Sequence, residues 1–228
     1  MATRKRAKKS EKKAKEKIIA DKKENYGGKE LYWVFGVMIA IIVIIFAVYM
    51  LIQSQKNFEY KGLTFTKENF GEIPVYHYYY LFENKADGGT IKYNLYLRKD
   101  PRALEIPVDE GIVYPEGKFV YLSINSTNLN QCEESQIAVS SLSSFITNNQ
   151  ITAKGATPNE EEAKEKNLRY ADCGTHPDNL VVILTDGEET KIVRNKDLCF
   201  TIYVSNCEIV EAVEAFEIQS IVDAKKNN

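Results

Sequence analysis

The sequence predicts an α+β protein: one N-terminal transmembrane helix, then a mainly antiparallel sheet packed with one or two helices. Three observations carry this. Leu31 to Ile52 (LYWVFGVMIAIIVIIFAVYMLI) runs 22 residues without a charge. Beyond it, Val75 to Phe82 and Ile91 to Arg98 read as two strands around a turn at Asp87-Gly88-Gly89. Further on, Ala138, Leu142, Phe145 and Ile146 fall at i, i+4, i+7 and i+8, the spacing of one helix face.

At about 1.5 Å per residue, the apolar stretch makes a helix of roughly 33 Å, against a hydrocarbon core of about 30 Å. It has no polar face, which argues against a buried core helix. A cleaved signal peptide would have an apolar core of about 7–15 residues and a small-residue cleavage site. Ile52-Gln53-Ser54-Gln55 does not supply one. A pilin-type leader would use Gly27-Gly28, but Lys29 and Glu30 follow directly. The 30 residues ahead of the span hold 12 Lys or Arg and 5 Asp or Glu, and the chain after it holds 18 and 27. That asymmetry puts the N-terminus in the cytoplasm and the C-terminal part outside. Tyr32, Trp33 and Tyr49 suit the two interfaces.

The organisation that follows is a basic cytoplasmic tail (1–30), the span (31–52), a short polar exit (53–57) and an extracytoplasmic α+β domain (58–228). The tail is rich in Ala, Lys and Glu, and its partner is anionic lipid or solvent alone. Only Tyr26 interrupts its basic residues, so specific nucleic-acid readout is not expected. In the domain, Phe58 to Phe65 alternates and reads as one strand bent at Gly62. Ile91, Tyr93, Leu95 and Leu97 share one face of the next hairpin, and Tyr78, Tyr80 and Tyr96 are expected on the less buried face. Lys118 to Asn125 resumes as a strand, and Asn125-Ser126-Thr127 is an N-glycosylation acceptor pattern. Glu133 to Asn148 is the main helix, followed by a short strand over 151–156 and a charged run over 160–166. Asn179 to Leu184 is an apolar strand, Thr185 to Glu188 a hairpin turn, and 190–194 and 199–204 are strands. The end fits a helix to Ala215; beyond it both helical and alternating patterns fit.

Cys132, Cys173, Cys199 and Cys207 all follow the span, and an even number on the translocated side predicts two disulfides. If 199–207 is extended, its ends lie roughly 26 Å apart at about 3.3 Å per residue. A disulfide spans at most about 7 Å between Cα atoms, which excludes Cys199–Cys207 and with it Cys132–Cys173. A turn at Ser205-Asn206 would weaken that exclusion. A metal site would need Cys173-Gly174-Thr175-His176 plus further ligands; neither a metal nor a cofactor is expected.

Cys132-Glu133-Glu134-Ser135 is a C-x-x-S pattern at a helix start, where the helix dipole lowers a thiol pKa. It follows the strand KFVYLSIN, and Pro177, an apolar strand and Asp186-Gly187 come after it. That order loosely resembles the later part of a thioredoxin fold, giving a thioredoxin-like α/β alternative for the C-terminal half. The departures are the missing C-x-x-C, the six residues between strand and cysteine, and an extra strand. The basic tail, the stretch Phe58 to Phe65 and Cys199 to Glu208 (CFTIYVSNCE) make the whole chain resemble small single-span membrane proteins of archaea. That resemblance implies no activity and no site residue.

No G-x-S-x-G, phosphate-binding glycine loop or H-E-x-x-H is present. The function expected is therefore non-catalytic: a membrane-anchored binding or scaffolding domain of the cell envelope, with another envelope protein or a surface polymer as partner. An extracytoplasmic thiol-disulfide oxidoreductase centred on Cys132 is the alternative. An accessory subunit of a membrane complex is the third reading.

Overall fold

The computed structural model describes residues 31–51 and 56–226. The tail over 1–30, Ile52 and the start of the exit linker lie outside the described residues. The chain divides after Gln55 into two compact units. Helix α1 (Leu31–Leu51) is the one described helix long and apolar enough to cross a membrane. None of its apolar side chains is buried within the protein, so its surface is suited to lipid rather than to a protein core.

The second unit opens with strands β1 (Asn57–Tyr60), β2 (Leu63–Phe70), β3 (Ile73–Glu83) and β4 (Thr90–Leu97). They pair in sequence order as an antiparallel sheet. The stretch from Phe58 to Phe65 is a hairpin, not the single bent strand expected. Lys61 and Gly62 both have positive φ (49° and 75°), the geometry of a two-residue turn that matches strand twist, and glycine occupies the second position. The β3–β4 pairing places Ile91, Tyr93, Leu95 and Leu97 on the packed face, as their alternation implies. Tyr78 and Tyr80 correct the expectation: they stand opposite Leu95 and Tyr93 on that packed face. Tyr79 and Tyr96 take the exposed side, where His77 stacks on Tyr96 at 4.6 Å.

The second sheet is built from β5 (Phe119–Ile124), β6 (Thr152–Ala156), β7 (Leu180–Asp186), β8 (Lys191–Lys196) and β9 (Cys199–Val204). Its order is β6-β5-β7-β9-β8. Strands β5, β6, β7 and β9 are parallel, and β8 runs antiparallel to β9. Helices α2 (Ser126–Leu129) and α3 (Ser135–Asn148) lie between β5 and β6, and α4 (Glu160–Glu165) lies between β6 and β7. The turn after β7 does not close a hairpin, because β9 inserts between β7 and β8. Composition explains the exchange. CFTIYV is apolar enough to be covered on both faces, whereas KIVRNK carries the charges tolerated on an edge.

Helix α5 (Ile209–Lys226) continues unbroken past Ala215, and 13 of its 18 residues are buried. With α3 it packs between the sheets. Phe216 meets Phe200 of β9 at 6.3 Å, while Tyr93 of β4 meets Phe145 of α3 at 5.9 Å. The alternating residues that left the C-terminus ambiguous arise because α5 is covered on nearly every side. Its polar residues are spent on backbone groups of neighbouring loops. Glu214 accepts from the backbone N–H groups of Arg98 (2.5 Å) and Lys99 (3.0 Å). Asp223 Oδ2 accepts from those of Gly111 (2.8 Å) and Ile112 (2.9 Å). Gln219 accepts from Lys61 Nζ at 2.9 Å, tying the first hairpin to the helix.

Burial pushes the Glu214 carboxyl up to about 7, against the two backbone donors that favour its charged form. Burial pushes Glu217 up to about 8; Ser141 donates to its Oε1, and Oε2 has no partner among the described residues. An unfolded glutamate ionises near about 4.3. Between there and these raised values the native state holds more protons, so these groups make stability fall as pH rises. We expect the melting temperature to drop between roughly pH 5 and 8, and Glu217→Gln to flatten the drop by on the order of 1–3 kcal/mol at pH 8, read by calorimetry across pH. Asp223→Ala leaves the buried Ile112 N–H and the half-buried Gly111 N–H unpaired and should cost roughly 2–4 kcal/mol in denaturant unfolding.

Candidate functional site

The strand order reverses between β5 and β7. From β5 the chain crosses through α3 to β6 on one side, then through α4 to β7 on the other. In an open α/β sheet, the crevice outside the carboxyl ends of two such strands is where ligands bind, because the flanking loops diverge there. A crevice of about 670 Å³ lies at this point. Asn125, directly after β5, and Thr185, near the end of β7, form its floor. Thr201 and Tyr203 of β9, Asn195 of β8 and Tyr170 line the rest, with Glu160 and Glu161 of α4 at its edge.

The side chains are held in place by one another. Asn125 Nδ2 donates to Thr185 Oγ1 at 3.1 Å, and Asn195 Nδ2 donates to Thr201 Oγ1 at 2.8 Å. Tyr170 donates to Asp172 at 2.7 Å; that bond holds the Asp172 carboxyl below the usual range and raises the phenol. Within α4, Glu162 accepts from Ser126, Thr157 and Lys166 within 2.8 Å, and those donors hold its carboxyl down at about 2. Glu162 therefore ties α4 to Ser126, the residue after Asn125, and to Thr157. Gly187 makes room for Tyr203, since a Cβ there would lie 3.0 Å from the tyrosine Cβ. The Tyr203 hydroxyl and the Glu161 carboxylate have no hydrogen-bond partner among the described residues. Neither lysine nor arginine lines the crevice among those residues. Amides, hydroxyls, tyrosine rings and carboxylates can recognise a hydroxyl-rich or cationic ligand; they disfavour an anionic one.

The four cysteines form Cys132–Cys207 and Cys173–Cys199, with Cα separations of 5.3 and 5.4 Å. Of the connectivities left open, the structure selects this one, and no described cysteine is free. Strand β9 stops at Val204, and the chain turns through Ser205 to Cys207, so Cys207 does not share a strand face with Cys199. Cys173–Cys199 lies beside the crevice, where Asn195 Nδ2 also approaches Cys173 Sγ at 3.6 Å. His176 stacks on Tyr121 at 3.9 Å, away from any cluster of ligating groups among the described residues. Cys132 sits just ahead of α3, bonded to Cys207 just ahead of α5.

Of the residues singled out in the sequence, only Asn125 belongs to the crevice. Tyr170, Thr185, Asn195 and Tyr203 were missed. The available signal was Thr185-Asp186-Gly187 closing an apolar run. It reads as a hairpin turn when β7 is taken as antiparallel, and as a ligand loop when β7 is a parallel central strand.

Comparison with protein-family models, with curated proteins and with solved structures finds no match to this chain. The structure defines, on its own geometry, a doubly disulfide-bonded α+β domain that follows a candidate membrane span in the chain.

The two disulfides differ in exposure: Cys207 is exposed, whereas Cys199 is 2% exposed. Mild reductant followed by alkylation and mass spectrometry should open Cys132–Cys207 first. Removing that bridge, which closes a loop of sequence separation 75, should cost about 2–4 kcal/mol.

Proposed function

We propose that this protein is a membrane-anchored extracytoplasmic binding domain that holds a neutral, hydroxyl-rich surface polymer, a glycan chain, in the crevice between β5 and β7. One observation carries the reading: the crevice at the strand-order reversal is lined by Asn125, Tyr170, Thr185, Asn195, Thr201 and Tyr203, with Glu160 and Glu161 beside them and no cationic side chain among the described residues. Planar amides and carboxylates bond vicinal hydroxyls, and tyrosine rings cover the apolar faces of sugar rings. The excess of basic residues ahead of the span supports an orientation with the N-terminus inside and the domain outside. Paired cysteines fit an oxidising compartment.

The oxidoreductase reading draws support from the accessible Cys132–Cys207 bridge at the starts of two helices. It predicts rapid exchange of that bridge with a dithiol substrate, which a purely structural disulfide lacks.

Affinity electrophoresis through gels carrying neutral polysaccharides tests the glycan reading. Retardation should fall about tenfold in apparent affinity for Tyr203→Ala and for Asn195→Ala. Retardation by acidic polymers only, or unchanged retardation of both variants, would sink it.

A further inference from the structure

A second cavity, of about 730 Å³, opens at the other end of the helix layer and shares no residue with the crevice. It lies between the packed face of the first sheet and the C-terminal ends of α3 and α5. The floor is Tyr78, Phe145, Ile146 and Ile221, each at most 8% exposed. Of the three tyrosines that line it, two have hydroxyls satisfied inside the protein: Tyr80 donates to Asn149, and Tyr114 pairs with Ser220 at 3.0 Å. The interior offers mainly hydrocarbon and ring surface, and a ligand entering it gains by burying apolar area. Leu81 and Phe119, 61% and 38% exposed, carry this surface out to the mouth.

The mouth is cationic. Lys85, Lys118 and Lys225 line it and are exposed, and Lys154 Nζ stands 3.2 Å from the Phe119 ring centroid. Lys225 Nζ bonds only the Gly62 carbonyl, and the ammonium groups of Lys85 and Lys118 pair with no carboxylate among the described residues. Glu116 is the one acid among the residues lining the cavity. Apolar depth with a cationic rim is the complement of an amphiphile: a hydrocarbon tail inside and an anionic head at the lysines.

We propose that this cavity binds a single-chain anionic amphiphile, a fatty acid or another monoacyl lipid with a negative head group. The tail lies against Tyr78, Phe145, Ile146 and Ile221, and the head pairs with Lys85 and Lys118. The function of the crevice is independent of this site.

Residues 56–228 serve for the test, since the core and both disulfides lie entirely within that compact unit. The probes are cis-parinaric acid and its uncharged methyl ester, followed by fluorescence. Saturable one-to-one binding of the acid is expected, with weaker binding of the ester. Ala224→Trp, an exposed position on the cavity wall, should abolish binding of both without disturbing the fold. Lys85→Glu with Lys118→Glu should weaken the acid about tenfold and leave the ester unchanged. Absence of saturable binding, indifference to Ala224→Trp, or equal affinity for acid and ester overturns the proposal. In liposomes, the full chain should crosslink a diazirine-bearing palmitate within 78–85 or 114–119. Adducts confined to α1 would mean that lipid meets only the span, and would likewise overturn it. A free fatty acid and a membrane lysolipid are separated by competition with each against the parinaric probe.

Discussion

The domain depends on one helix being able to lie inside it. Helix α5 is buried on nearly every side, yet it carries Glu214, Glu217, Gln219, Ser220 and Asp223 within that buried surface. Buried carboxylates are costly unless something satisfies them. Here backbone N–H groups at 98–99 and 111–112 satisfy Glu214 and Asp223, the Lys61 ammonium bonds the Gln219 amide, and Glu217 accepts from Ser141 through one oxygen only. The lysine and backbone donors belong to the turn in the first hairpin and to the loops that lead from the first sheet to the second. The same bonds that permit the helix to be buried therefore fix the first sheet and its connection to the second against it.

That arrangement leaves two different surfaces. Against α3 and α5, both sheets present aliphatic and aromatic side chains, and a cavity opens at the C-terminal ends of these helices. This is the apolar cavity with its lysine rim. The opposite face of the second sheet is polar along its carboxyl edge, where Thr185, Thr201 and Tyr203 alternate with core residues of the same strands. Strand periodicity makes this division automatic: residues one apart in β7 and β9 serve the core and the crevice in turn.

The disulfides reinforce the same plan. Cys132–Cys207 ties the approach to α3 to the approach to α5, the two helices of the central layer. Cys173–Cys199 pins the loop before β7 to the start of β9, next to the crevice. One bridge restrains the buried layer and the other restrains the candidate site.

The sequence by itself determined the apolar helix long enough to span a membrane, the helix over Ser135–Asn148, most strand positions and the presence of two disulfides. These follow from local periodicity, charge and cysteine number, which act over a few residues. Ala138, Leu142, Phe145 and Ile146 are buried as their spacing requires. Only the tertiary structure decided which strands are neighbours, and that choice set everything else of consequence. Placing β9 between β7 and β8 gave β7 two parallel neighbours and turned the Thr185 loop from a hairpin into part of a crevice. Packing both sheets on α5 made a continuous helix of a segment whose own pattern was ambiguous, and it turned Tyr78 and Tyr80 inward. Cysteine pairing was settled the same way. Strand order and pairing depend on contacts between residues far apart in the chain, for which neighbouring sequence carries no energy term.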